Sequence, residues 1–78
     1  MRYFRGGDWQ EVEALPEETT LLVHSVGVDN VRKVNDALGK NEIPYYTAAE
    51  RKDEVRFYVQ RERRDEVELL VKQYFAQH

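Results

Sequence analysis

Glu54-Val55-Arg56-Phe57-Tyr58-Val59-Gln60 alternates polar and apolar side chains over its whole length. Such a period of two is the mark of a half-buried strand, with Val55, Phe57 and Val59 on one face and Arg56, Tyr58 and Gln60 on the other. The apolar side supplies core. The polar side carries an arginine and a tyrosine, and what meets them is the functional question.

The segments around this strand read as partners for it. Arg61 to Gln77 places Val67, Leu70, Val71 and Tyr74 at i, i+3, i+4 and i+7, the spacing of one helical face. Ahead of the strand, Glu50-Arg51-Lys52-Asp53 is a charged turn, and Ile43 to Ala48 forms a strand that begins at Pro44. Proline cannot donate to a ladder, so this strand is expected at the sheet edge. A helix capped by Asp29 runs through Val31, Val34 and Leu38 and stops at Gly39 or Asn41. Thr19 to Val26, rich in β-branched residues and ended by Gly27, is the first strand of this unit.

The order strand, helix, strand, strand, helix over residues 19–78 predicts an α+β domain. Specifically, it predicts a ferredoxin-like βαββα sheet with both helices on one face. Residues 1–18 form an N-terminal arm. Met1 to Arg5 reads as a short strand stopped by Gly6-Gly7-Asp8, and Trp9, Val12 and Leu15 recur every three positions, as in a short helical stretch ended by Pro16. The place beside the first strand would be an open edge, where Arg2 to Arg5 can add, or where a second copy of the chain can pair.

Composition narrows the function. Seventy-eight residues with 41% hydrophobic and 35% charged side chains make one small folded domain. The net charge of −3 resides in the arm, where two basic residues face five acidic ones; the other sixty residues are balanced. No basic stripe is present, so nucleic acid is not an expected partner. Absence of cysteine removes disulfides, thiolate metal sites and thiol nucleophiles. No apolar run matches a membrane span, and the expected location is the cytoplasm.

No catalytic motif assembles. His24 is a lone strand histidine, His78 is terminal, and neither belongs to an HxxxH or HxxE spacing, so no metal or other cofactor is expected. Ser25 has no nucleophile elbow, and Gly6-Gly7 lacks the helix and lysine of a phosphate loop. The carboxylates alternate with basic residues in the manner of solvated surface pairs. The chain is therefore read as a non-enzyme.

What remains is a surface. If both helices cover the apolar face, Arg56, Tyr58, Tyr46, His24 and Leu22 form an aromatic platform on the opposite one, to be covered by the arm or by a second protomer. Tyr3, Phe4 and Trp9 are the arm's contact residues. The expected function is a protein-interaction or regulatory module that self-associates. The alternative is a small acidic inhibitor or adaptor whose arm, Asp8 to Glu18, occludes a basic surface on another protein.

The run Val31, Val34, Leu38, Ile43-Pro44-Tyr45, Val55, Phe57, Val59, Val67, Leu70 and Val71 resembles the prokaryotic signal-transducing domains described as PII-like. It is also similar to the ring-building domains of flagellar and type III secretion ring proteins. Both resemblances cover roughly the last fifty residues. Glu42 stands where the pattern has glycine, and Gln60 where proline often follows. The resemblance implies a non-catalytic interaction domain and carries no site residues across.

Overall fold

The computed structural model describes residues 1–5 and 8–77, with Phe4 and Arg5 described as backbone only. The turn expected at Gly6-Gly7, the frayed end expected at His78 and the contact expected of the Phe4 side chain lie outside the described residues. Along the chain run β1 (Arg2–Arg5), β2 (Asp8–Glu11), β3 (Thr19–Val26), α1 (Val28–Lys40), β4 (Tyr45–Arg51) and β5 (Glu54–Gln60). A 3₁₀ turn (Arg61–Arg63) then leads into α2 (Arg64–Gln77).

The strands form one five-stranded antiparallel sheet in the order β2-β1-β4-β5-β3. This corrects the ferredoxin-like βαββα expectation. The protein is an α+β domain in which the arm supplies two of five strands, and those strands join β4 rather than the edge beside β3. The expected helical stretch from Trp9 to Leu15 is likewise overturned, because β2 occupies Asp8–Glu11 and pairs in register with β1, Trp9 opposite Phe4 and Gln10 opposite Tyr3. Trp9 and Val12 are as compatible with a strand as with a three-residue helical spacing, and pairing with β1 decides between them.

The same arrangement corrects the position of β4, which lies inside the sheet between β1 and β5. Pro44 precedes the first ladder residue, Tyr45, so its missing N–H costs no sheet hydrogen bond.

Both helices cover one face. Val55, Phe57 and Val59 meet Val31, Val34 and Leu38 of α1 and Val67 of α2, together with Leu22, Ile43 and Tyr45, in a single buried cluster. Tyr45 is buried in it with its ring 5.8 Å from that of Phe57, while its hydroxyl donates to Asn35 Oδ1 of α1 at 2.7 Å. Burial of side chains of this size is worth about 2–3 kcal/mol each. Helix α2 is set less deeply: Val67 is sealed, whereas Leu70, Val71 and Tyr74, the rest of its apolar stripe, are only partly buried.

Two backbone features make the connections around α1. Gly27, at φ 100°, turns the chain from β3 into the helix. Glu42 takes φ 56° as the chain leaves it, while the Ile43 N–H donates to the Leu38 carbonyl at 3.0 Å. Glu42 occupies the position where the sequence pattern has glycine, and the left-handed backbone is the reason glycine suits it.

Candidate functional site: the sheet face away from the helices

Strand alternation puts Arg56 and Tyr58 of β5 on the face away from the helices, and the register aligns their neighbours with them. Tyr46 lies opposite Tyr58, Tyr3 opposite Tyr46, Gln10 opposite Tyr3 and, on the other side, Leu21 opposite Tyr58. One row thus crosses all five strands: Gln10, Tyr3, Tyr46, Tyr58, Leu21. The Tyr3 and Tyr46 rings are 4.4 Å apart between centroids and tilted by 32°, the close offset contact that aromatic pairs favour. Partial burial raises the Tyr46 hydroxyl pKa above its ordinary value, with Tyr3 and Glu18 adding to the effect.

A second row carries the charges. His24 lies opposite Arg56, and Arg56 opposite Ala48. The Arg56 guanidinium hydrogen-bonds and ion-pairs with Glu50, which reaches it across a bulge in β4 between Ala49 and Arg51. That hydrogen bond, reinforced by the charge of Arg56, holds the Glu50 carboxyl below the usual range and raises the guanidinium in return. His24 Nε2 lies 2.9 Å from Glu54 Oε2, each side chain about a third exposed. The cationic group and the imidazole on this face thus each have a carboxylate beside them.

Of the residues expected on the platform, Tyr46, Tyr58, Arg56 and His24 are brought together. Leu22 is not. A bulge between Leu21 and Val23 turns Leu22 into the core, where it is 6% exposed, and leaves Leu21 on the open face at 40%. Three consecutive apolar residues, Leu21-Leu22-Val23, break the period of two, and that break is the sequence signal of the bulge.

The arm takes a different part from the one expected. Its first half does not fold over the platform but widens it, contributing Tyr3 and Gln10 in plane with the other strands, while residues 12–18 run between the two outer strands, β2 and β3, and bring Glu18 near Tyr46. Trp9 falls on the helix side, edge-on to Tyr45 at 5.8 Å and 46% exposed, so it neither covers the platform nor packs deep in the core. Glu11 pairs with Arg2 at 3.4 Å and with the terminal amino group at 3.6 Å.

Among the described residues no cluster of three or more His, Cys, Asp or Glu side chains could hold a metal ion, and no helix is long and apolar enough to cross a membrane. Ser25 lies opposite Val55 on the helix side and is buried, on the other face from His24. No family model matches the chain, and no curated protein or solved structure matches it significantly.

Proposed function

We propose that the protein is a non-catalytic interaction module that self-associates by packing the sheet face away from its helices against that of a second copy. The observation that carries this reading is the row Tyr3, Tyr46, Tyr58 and Leu21, which spans the sheet on the face away from both helices. Contiguous aromatic surface of this kind is normally covered in the working protein. Charge supports burial against an identical face: Arg56 is matched by Glu50 and His24 by Glu54 within each copy, so pairing would not strand either group alone. Size supports it as well. Five strands about 4.8 Å apart, each of four to eight residues, present a face of several hundred Å², approaching the roughly 800 Å² per partner of a standard interface.

The acidic-adaptor reading is the weaker one. Two groups of the chain itself already engage Glu11, and the sheet recruits the arm's first half. Carry-over from signal-transducing and ring-building domains rests on the sequence pattern alone and agrees with a non-catalytic role.

Sedimentation of the wild type and of Tyr46→Ala/Tyr58→Ala tests the proposal. A dimer mass in the wild type and a monomer mass in the folded variant is the expected result. A wild type that stays monomeric to millimolar concentration rejects it.

A further inference from the structure

A cleft of about 440 Å³ opens between the second half of β3, the start of α1 and the last turns of α2. We propose that it binds a small amphiphile, an aliphatic monocarboxylate, with the chain among the apolar residues and the carboxylate at the rim.

Val23, Val34, Val71 and Phe75 form its walls. Three of them, Val23, Val71 and Phe75, pack against the core yet remain only partly buried, so the core is left incompletely sealed along this line. The cleft lies at the margin of the sheet, because β3 is the last strand.

Inside the cleft is a polar anchor. Ser25 lines it and is only 4% exposed, yet its hydroxyl makes no hydrogen bond with any described residue. Among the described residues no sealed side-chain polar atom lacks a partner, so this hydroxyl keeps an opening to solvent at the cleft. An apolar cavity of this size with one buried hydroxyl matches the usual form of a small-molecule site.

The rim sets the charge. Lys72 borders the cleft, largely exposed and 3.5 Å from Glu68, and Lys33 of α1 sits 5.6 Å from the centroid of the Phe75 ring. Two ammonium groups beside an apolar groove favour an anionic head.

A strand from another protein is the competing occupant, since β3 is a sheet edge. The edge is guarded at both ends: Arg64 Nε donates to the Leu21 carbonyl at 3.1 Å, and Asn30 Nδ2 to the Val26 carbonyl at 2.9 Å. With those acceptors engaged, a ladder along β3 would first have to break side-chain hydrogen bonds.

Titration of the ¹⁵N-labelled protein with sodium decanoate, below its aggregation concentration, tests the assignment. Saturable shifts should centre on Val23, Ser25, Val71 and Phe75, and octanoate should bind roughly tenfold more weakly for its two missing methylenes. Lys72→Glu changes a largely exposed rim residue and should weaken decanoate by about fivefold or more. In the wild type, decyltrimethylammonium should bind more weakly than decanoate. The proposal is overturned if decanoate gives no saturable shifts, if they centre on Tyr46 and Tyr58, or if the two head groups bind equally well. The test is independent of self-association, which the sedimentation experiment reads separately.

Discussion

Phe57 and Tyr58 are adjacent in β5, yet they belong to two different surfaces. Phe57 is fully buried beneath both helices, whereas Tyr58 is half-buried on the face away from them. The first face packs on both helices and the second on neither. Stability should therefore be concentrated on one side of the strand and association on the other. Phe57→Ala leaves a cavity in the cluster and should lower unfolding free energy by about 3–5 kcal/mol. Tyr58→Ala should cost the isolated chain about 1 kcal/mol or less. Denaturant unfolding at a concentration where the protein is monomeric measures both, and equal losses would erase the distinction between the faces.

The next test uses the bulge in β3. Leu21 and Leu22 are chemically identical neighbours, but the bulge sends Leu22 into the core and leaves Leu21 on the open face. Leu22→Ala should destabilise by about 2–5 kcal/mol and Leu21→Ala by only a fraction of that. A reversed order would mean that the strand is regular and that the platform contains Leu22 after all.

This pair also marks how far sequence reasoning reaches. Alternation from Val55 to Val59 and the helical spacing from Val67 to Val71 were legible because each repeats one signal several times along a single element. The register of β3 was not, because one inserted residue inverts the assignment of every residue on one side of it. Four of the five platform residues were nevertheless placed on the correct face, since the run His24-Ser25-Val26 and the β4–β5 pairing depend on local alternation alone.

The arm failed for a different reason. Trp9, Val12 and Leu15 fit a helical period, and four-residue strands are too short for their alternation to argue against it. What settles β1 and β2 is the partner. Tyr3 and Phe4 pair with Tyr46 and Tyr45 of β4, more than forty residues away, and no local pattern announces a contact at that separation. Placing the arm beside β4 also moved β4 into the sheet interior, so the edge reading of Pro44 failed with it.

Tyr45 and Tyr46 repeat the comparison with ionisable groups. Burial in the core, aided by Asp36, raises the Tyr45 pKa from 10.0 to about 12. Its neutral form is thus favoured by folding. The stabilisation is fully present below pH 10, where the unfolded tyrosine is also neutral, and is lost as pH rises from there through about 12. At about 1.4 kcal/mol per pKa unit, the loss is about 2–3 kcal/mol over that window. Tyr45→Phe should flatten this alkaline limb, at a neutral-pH cost of about 1 kcal/mol for the hydrogen bond to Asn35. Tyr46→Phe should change the limb much less. A limb unaltered in Tyr45→Phe would place the titrating group elsewhere.

The smallest effect tests whether the open face is organised before any partner arrives. Tyr3 and Tyr46 touch at 4.4 Å although they come from the arm and from the middle of the sheet. If this contact helps to dock the arm, a double-mutant cycle of Tyr3→Ala and Tyr46→Ala, measured by unfolding of the monomer, should give a coupling of about 0.5–1 kcal/mol. Backbone hydrogen bonds of β1 remain available in each variant, so the cycle isolates the ring contact from the ladder. Zero coupling would mean that backbone pairing alone holds the arm and that the tyrosines are aligned without being attracted. The row would then owe its contiguity to register, and its energetic role would fall wholly on the protein that binds it.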